Sequence, residues 1–238
     1  MIKEENTVIQ NTKDKLIAKL EPSGWAKLLR LFLNSEDFIK IIEKLYKEAK
    51  EEGHHFTPPL KNVFRAFEEC SFDDVKVVVI GQDPYFYKDV ADGIAFSCSL
   101  TGKEQPSLRY IFNGIEKHVY NDGPMDRNPD LTRWANQGVL LLNSAFTCQI
   151  DKPGSHFEIW RDFMIYLLDM LQLRKPDLIY VLLGKQAETF SVHLTGTVIK
   201  TTHPASAAYS KQKDWAGASA FKKVNELLKE NFIEEIKW

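Results

Sequence analysis

The segment Gly81-Gln82-Asp83-Pro84-Tyr85 places an amide, a carboxylate and a phenol within five residues. It directly follows a run of valine and isoleucine, which is typical of a buried strand. In α/β proteins, ligands bind outside the carboxyl ends of parallel strands. The carboxylate and the amide can orient a water molecule, and the phenol can face a flat ring. The sequence therefore predicts that chemistry takes place at this turn.

Polar side chains also close other apolar runs. Asn143 ends the run 138–143, His203 follows the run 197–201, and the run 177–183 ends at Gly184. Taken singly, each polar residue has a structural explanation, because Asp before Pro is a common turn residue and a lone His is more often structural. Together with Asp83, they supply the carboxylate, amide and imidazole of a hydrolase that acts on a flat polar ring.

The elements that must position these residues alternate between strand and helix from Val75 onward. The pattern predicts an α/β fold: a single domain with a central four-stranded parallel sheet flanked by helices on both faces. The strands are expected at 75–80, 138–143, 177–183 and 197–201. Residues 1–22 are a polar N-terminal segment that we expect to be loosely ordered, and 23–238 form the domain.

Apolar stripes predict helices from Ser23 and from Ser35. Further helices are expected over 60–70, after Pro106-Ser107, and over 157–171 and 221–230. The charged run 47–52 is interpreted as a solvated helix face that ends at Gly53. The adjacent His54 and His55 point in different directions and have no third ligand nearby, so a metal site is disfavoured.

Composition excludes several classes of function. The chain has 238 residues with a formal net charge of −2, so any DNA binding must use a local patch. Its three cysteines are interpreted as reduced, buried thiols. The N-terminus lacks the apolar core of a signal peptide, and no run approaches the ~20 apolar residues of a membrane span. We therefore expect a cytoplasmic protein that does not bind membranes.

Motifs of other chemistries are not found. The sequence contains no Gly-x-Ser-x-Gly nucleophile elbow and no glycine-rich phosphate loop after a strand. It also contains no spaced Cys/His cluster of the kind that binds zinc. No dinucleotide, ATP, metal or other cofactor is expected.

From Trp25 to the C-terminus, the chain resembles family 1 uracil-DNA glycosylase. The resemblance rests on motifs that occur in the family's order: Gly81-Gln82-Asp83-Pro84-Tyr85, Gly93-Ile94-Ala95-Phe96-Ser97, Pro106-Ser107-Leu108, Trp134-Ala135-Asn136-Gln137-Gly138-Val139-Leu140-Leu141-Leu142-Asn143, Ser155-His156, Leu183-Gly184, His203-Pro204 and Asn225-Glu226-Leu227-Leu228. It implies the fold of that family and metal-free hydrolysis of the N-glycosidic bond of deoxyuridine in DNA, as in base excision repair.

The resemblance also implies roles for the pocket residues. Asp83 would orient the water and stabilise the cationic sugar, and His203 would donate to uracil O2 as negative charge builds there. Asn143 would read the O4 and N3–H edge of the flipped base. Phe96 would stack on the ring, and Tyr85 would exclude the thymine methyl group. Gln82 would help to hold the base, partly through its backbone.

The surrounding DNA-contacting positions depart from the family pattern. Phe86 stands where the family has His, and the family's leucine wedge falls on Ala207, whose methyl cannot fill a base-sized gap. We expect Tyr209, or another bulky residue of the extended loop such as Trp215, to replace the wedge. The alternative is that no wedge exists and that these aromatic side chains are packed in the core. Lys185, Lys211 and Lys213 are candidates to replace lost phosphate contacts by their charge. The predicted DNA contacts are Pro106, Ser107, Gly184, Lys185, Ala205, Ser206, Ala207 and Tyr209.

Two functions compete at this stage. The first is an active monofunctional glycosylase that acts on uracil in single- and double-stranded DNA. The second is a DNA-binding or replication-accessory protein on a glycosylase fold, with weak or no catalysis. The altered DNA-contacting positions, which form the rim of the pocket, and the low net charge slightly favour the second function. The intact Asp83, Asn143 and His203 favour the first. A monomer is expected, and a protein inhibitor that mimics DNA is a candidate partner.

Overall fold

The computed structural model describes residues 2–50, 55–210 and 214–238, with side chains from Ile9 onward. Its helices are α1 (Ile2–Leu20), α2 (Trp25–Leu33), α3 (Glu36–Lys50), α4 (Arg65–Glu69), α5 (Pro106–His118), α6 (Thr132–Ala135), α7 (Phe157–Arg174), α8 (Lys185–Glu188) and α9 (Ala220–Glu230). Its strands are β1 (Phe56–Thr57), β2 (Val77–Gly81), β3 (Val139–Asn143), β4 (Cys148–Gln149), β5 (Ile179–Leu183) and β6 (Thr197–Thr201). Short 3₁₀ turns cover Leu60–Asn62, Thr189–His193 and Pro204–Tyr209.

The main sheet has four parallel strands in the order β3-β2-β5-β6. Every residue of β2 and β5 is buried, which is why these strands read as continuous apolar runs. In contrast, β6 is the edge strand and is only partly buried. The predicted α/β fold, with one domain and a four-stranded parallel sheet, is confirmed. All four carboxyl ends meet at one edge, so the side chains that follow them converge.

A second, two-stranded sheet lies beside the candidate site. In it, β1 pairs antiparallel with β4, with Phe56 opposite Gln149 and Thr57 opposite Cys148. The backbone N–H of Ile150 also donates to the His55 carbonyl at 2.9 Å. These bonds attach the chain that follows β3 to the loop before α4.

The core combines the buried strands with aromatic side chains. Phe64, Phe67, Phe146, Trp160 and Phe163 contact one another through edge-on and stacked rings 5.1–6.3 Å apart. Such pairs each contribute about 0.5–1.5 kcal/mol beyond the burial of their area. This cluster joins α4, α7 and the segment after β3, so it supports the base of the candidate site.

Two parts of the chain differ from the sequence-based expectation. The N-terminal segment, expected to be loosely ordered, forms α1, whose last residue Leu20 is completely buried. In the charged run 47–52, Glu48 is buried and only 7% exposed, so the interpretation of the whole run as a solvated face is wrong at that residue. The other half of that prediction, Glu51, Glu52 and the stop at Gly53, lies outside the described residues, as does His54.

The three cysteines, Cys70, Cys98 and Cys148, are buried and unpaired, as predicted. Across the described ranges, no helix is both long and apolar enough to cross a membrane.

Candidate active site

Two predicted site residues, Phe96 and Asn143, meet beside Gly81 at the carboxyl ends of β2 and β3. Gly81 pairs with Asn143 across these strands. A Cβ atom at Gly81 would lie 2.8 Å from the Phe96 ring and 2.9 Å from Asn143 Oδ1, and both contacts are too short for real Cβ atoms. Because Gly81 has no side chain, the stacking ring and the amide can both approach the end of the strand.

Asp83 follows this strand and has two dissimilar carboxylate oxygens. Its Oδ2 accepts a hydrogen bond from the Gly154 backbone N–H at 3.1 Å. Its Oδ1 is buried and accepts no hydrogen bond from the residues that the structure describes. Burial raises the pKa of Asp83, while the bonds from Gln82 and Gly154 lower it. One oxygen is thus held by the protein, and the other can accept a hydrogen bond from a water molecule.

Phe96 and Tyr85 are fixed relative to each other. Phe96 has a backbone φ of 66°, in the left-handed region that residues with side chains rarely adopt. The Tyr85 hydroxyl donates to the Phe96 carbonyl at 3.1 Å, and the Ala95 N–H donates to Leu141 of β3 at 3.2 Å. Burial raises the pKa of Tyr85, so its phenol stays neutral. The strained backbone of Phe96 is therefore held by a hydrogen bond to its own carbonyl and by one from the preceding residue.

A buried ion pair supports the loop that carries Phe96. Asp92 is completely buried and lies 3.0 Å from the Arg65 guanidinium on α4. Its oxygens also accept hydrogen bonds from the backbone N–H groups of Ile94 and Ser99 and from the Ser97 hydroxyl, at 3.0, 2.8 and 2.6 Å. The sequence analysis missed this support. The only sequence signal was a carboxylate within an otherwise apolar segment.

His203 follows β6 at the start of the 3₁₀ turn Pro204–Tyr209. Its Nδ1 accepts the Ala205 backbone N–H at 3.2 Å, and burial lowers the pKa of His203 to about 4. The imidazole is therefore neutral at pH 7 and carries its proton on Nε2. Gly184, with φ 97°, makes room beside it, because a Cβ there would lie 3.0 Å from the His203 Cβ.

These side chains line a cleft of about 410 Å³. Its lining residues are Gln82, Asp83, Pro84, Tyr85, Phe86, Phe96, Ser107, Pro153, His203, Ala205 and Tyr209. A smaller inner cavity shares Pro84, Tyr85 and Phe96 with the cleft and includes Asn143. Five of the six residues predicted for catalysis and base binding thus line the cleft, and the sixth, Asn143, lines the neighbouring inner cavity. No cluster of His, Cys, Asp or Glu among the described residues could hold a metal ion.

The predicted DNA-contacting residues are less uniform. Ser107 and Ala205 line the cleft, Pro106, Lys185 and Ser206 are exposed, and Gly184 is buried beside His203. Ala207 is 1% exposed, so its methyl packs inward. Its place among the DNA-contacting residues stays a prediction. Lys211 and Lys213 lie outside the described residues.

The two candidates for a replacement wedge differ completely. Tyr209 is 91% exposed and lines the cleft. Trp215 is 4% exposed, donates from its indole N–H to the Thr202 carbonyl at 2.8 Å, and packs against Phe221. Trp215 is therefore part of the core, and the prediction that it could act as a wedge is wrong.

Two features of the site had no clear sequence signal. The Gly154 N–H that binds Asp83 is a backbone group 71 residues away in sequence. Two residues later, His156 is completely buried and bonded to Glu48 of α3. Ser155-His156 was noted only as part of a motif, without a role.

Comparison with known proteins agrees with this geometry. The family model described as Uracil DNA glycosylase superfamily matches residues 67–229. A protein named uracil-DNA glycosylase from Amoebophilus asiaticus is 37% identical over 81% of this chain and 88% of its own length. One of the same name from Acinetobacter baumannii is 33% identical over 96% of this chain and 97% of its own.

Solved structures give the same result. The crystal structure of mimivirus uracil-DNA glycosylase superposes with a TM-score of 0.81 at 25% identity, covering 91% of this chain and 86% of the viral chain. A variant of mimivirus UNG, crystallised in complex with UGI, superposes with a TM-score of 0.79 at 25% identity, covering 90% of this chain and 87% of that one. The family-model match, the relatives and the parallel-sheet fold agree, and the chain belongs to the uracil-DNA glycosylase superfamily.

Proposed function

We propose that this protein removes uracil from DNA by hydrolysing its N-glycosidic bond, which leaves an abasic site. Asp83 and His203 carry the reaction, and no cofactor takes part. The uracil leaves the base stack and enters the cleft, where its edges are read. Water is the nucleophile, and the protein forms no covalent intermediate.

His203 stabilises the leaving base. Breaking the glycosidic bond leaves negative charge on uracil O2, and the Nε2–H of the neutral imidazole donates to that oxygen. Because the Ala205 N–H occupies Nδ1, the tautomer with its proton on Nε2 is selected before substrate binds. A fixed donor directed at developing charge in a water-poor site typically contributes 10²–10³ in rate.

Asp83 acts at the sugar. As the bond breaks, positive charge develops at the anomeric carbon, and the Asp83 carboxylate stabilises it. Asp83 Oδ1, which has no partner among the described residues, accepts a hydrogen bond from the attacking water, while the Gly154 N–H holds Oδ2. The water adds to the anomeric carbon, and its proton passes to the carboxylate.

Base choice comes from the other pocket residues. The Asn143 amide both donates and accepts hydrogen bonds, so it matches the O4 and N3–H of uracil. Phe96 stacks on the base, and Gln82 borders it. The phenol of Tyr85, held by its bond to the Phe96 carbonyl, occupies the space that a 5-methyl group would need. Thymine is thereby excluded by contact.

At the rim, we propose that Tyr209 replaces the missing leucine wedge, because it is the exposed large side chain on the cleft. Pro106, Ser107, Lys185, Ala205 and Ser206 contact the DNA backbone on single- and double-stranded substrates. The mimivirus relative crystallised with UGI supports a DNA-mimicking protein inhibitor as a further partner of this chain. We further infer a cytoplasmic monomer.

The observation that carries this proposal is that His203 and Asp83 line the same cleft. The neutral His203 ring accepts the Ala205 N–H at Nδ1, and Asp83 is held by the protein through Oδ2 alone among the described residues. The test measures free uracil released from a single-stranded oligonucleotide that contains one deoxyuridine. The wild type should release uracil, and Asp83→Asn should be several hundredfold slower.

The exposed carboxylate Asp89 offers a matched control, because Asp89→Asn makes the same chemical change on the surface. That variant should keep wild-type turnover. A folded wild-type protein that binds the oligonucleotide without releasing uracil would contradict the proposal and support an accessory role.

A further inference from the structure

The loop that holds Asp83 is anchored by a buried hydrogen-bond chain. We propose that Glu48 and His156 are positioning residues for the catalytic carboxylate: they fix the 150–156 loop so that the Gly154 N–H meets Asp83 Oδ2. This inference rests on the proposed function, in which Asp83 is catalytic. It assigns a role to α3, which lies outside the part of the chain matched by the family model.

The chain of bonds has a defined direction. The indole N–H of Trp160 donates to Thr147 Oγ1 at 2.7 Å, and Thr147 Oγ1 lies 2.8 Å from His156 Nδ1. Because burial lowers the pKa of His156, the neutral ring accepts the threonine proton at Nδ1. Its Nε2–H then donates to Glu48 Oε2 at 2.8 Å. Four residues on α7, the segment after β3, the loop and α3 are thus joined in one chain.

The chain is enclosed. His156 is completely buried, and Glu48 is 7% exposed. A buried carboxylate needs partners. Among the described residues Glu48 has the imidazole of His156 and Lys44 of α3, whose Nζ lies 3.7 Å away. Loss of either member would leave the other buried and unsatisfied, which is costly in an interior.

The His156 anchor lies close in sequence to Gly154, whose backbone N–H binds Asp83. Gly154 lies two residues before His156, and the Phe157 N–H donates back to the Gly154 carbonyl at 3.4 Å. The Ser155 hydroxyl accepts the Gln149 N–H at 2.8 Å, which closes the other end of the loop. Gly154 itself is exposed, so its orientation depends on these anchors rather than on burial.

The electrostatic surroundings are simple enough for a pH test. Charged groups near His156 are Glu48 and Lys44 of α3 and Lys152 of the loop. Near Asp83, Cys148 of β4 is neutral, because burial raises the pKa of its thiol to about 12. Since the Gly154 bond lowers the pKa of Asp83, losing that bond raises it. The acid limb of kcat should then move to higher pH.

The experiment compares Glu48→Ala, Glu48→Gln and Glu43→Ala in the full chain. Glu43 is an exposed carboxylate on the same helix and serves as the surface control. Glu48→Ala should lower kcat roughly tenfold or more with KM little changed, and should move the acid limb to higher pH. Glu48→Gln keeps an acceptor for Nε2–H and should restore most of kcat. If Glu48→Ala does not fold, Glu48→Asp shortens the same side chain and takes its place.

Destabilisation alone must be separated from positioning. Asn225 of α9 is buried and bonded to Ile236 and Trp238, and none of the three lines the cleft. Asn225→Ala should lower the melting temperature but leave the acid limb of the folded enzyme in place. An equal shift in Asn225→Ala and Glu48→Ala, or no shift in either, would overturn the proposal.

A readout independent of activity completes the test. The ¹⁵N–¹H signal of Gly154 should report the titration of Asp83 in the wild type and lose that response in Glu48→Ala. This signal separates the two proposals: failure to release uracil sinks the proposed function, whereas a Gly154 signal unchanged by Glu48→Ala sinks the positioning role.

Discussion

The floor of the cleft, with Asp83, Tyr85 and His203, and its rim, with Tyr209 and Lys185, are held in different ways. On the floor, Asp83, Tyr85 and His203 each make a hydrogen bond with a backbone atom. Burial also shifts the pKa of all three side chains. At the rim, Tyr209 is 91% exposed and Lys185 extends into solvent. The side chains of the floor are therefore fixed by the protein before substrate binds, whereas Tyr209 and Lys185 of the rim are exposed to solvent.

This difference predicts where substitutions have their effects. Substitutions on the floor of the cleft should slow the chemical step equally on single- and double-stranded DNA. Changes at the rim should depend on the form of DNA and on salt, because they act on base extrusion and phosphate attraction.

The largest effect is expected for the two catalytic residues on the floor of the cleft. Asp83→Asn and His203→Ala should each lower kcat for uracil release by roughly 10²–10³ or more, since each removes a preorganised group at a site of developing charge. Single-turnover assays on single-stranded and duplex substrates measure it. The loss should be the same on both. Near-normal turnover in both variants would remove the catalytic assignment.

Base choice should change with little change in fold. Tyr85→Ala opens space for a methyl group, so the variant should release thymine from a T·G or single-stranded substrate. Asn143→Asp should weaken uracil release and admit cytosine, because a carboxylate can accept from the cytosine amino group. The products are identified by chromatography of released bases. Complete rejection of thymine by Tyr85→Ala would disprove its role as a steric gate.

The rim substitution Tyr209→Ala should act selectively. Stacking on a base contributes ~1–3 kcal/mol, so duplex activity should fall by about tenfold while single-stranded activity changes little. Phe232, which is 99% exposed and does not line the cleft, provides the control Phe232→Ala. Equal losses on the two substrates would rule out a wedge at Tyr209.

His203 should also affect stability as a function of pH. Its pKa is about 4 in the folded protein against 6.5 for an unperturbed imidazole, so below pH 6.5 the unfolded chain binds a proton that the folded chain does not. Stability is therefore lost as pH falls through this window, by about 1–2 kcal/mol between pH 7 and pH 5. Urea unfolding at both pH values should show a smaller loss in His203→Gln. His156, whose pKa is also lowered, is present in both proteins and cancels.

The smallest effect is expected at Lys185. Lys185→Ala should weaken DNA binding uniformly across sequences and reduce the slope of log affinity against log salt by about 1. Binding of an uncleaved duplex, measured from low to physiological salt, tests this. An unchanged slope would mean that Lys185 makes no phosphate contact.

The positions of the residues on the floor of the cleft could be predicted from the sequence, because each follows closely after an apolar run that marks a strand. Apolar runs gave β6 as observed, Thr197–Thr201, and the others within two residues at each end. Parallel strands then place Asp83, Asn143 and His203 at one edge, whatever the details of packing.

The supporting groups were not predictable, because they depend on partners far apart in sequence. His156 meets Glu48 across 108 residues, and a carboxylate in a charged helical run is normally solvated. The Gly154 donor is a backbone group, which no residue pattern marks. At the rim, the sequence offered Tyr209, with Trp215 as a further bulky residue of the same loop, and only tertiary packing separated them.

The protonation of His203 tests the central claim most directly. ¹⁵N-edited NMR of the imidazole at pH 6 should show a neutral ring with an unprotonated Nδ1 and a protonated Nε2, and titration should give a pKa near 4. An imidazolium with both nitrogens protonated at pH 6, or a neutral ring protonated on Nδ1, would contradict the account. In either case the group that must donate to the leaving uracil would not be preorganised as the structure requires.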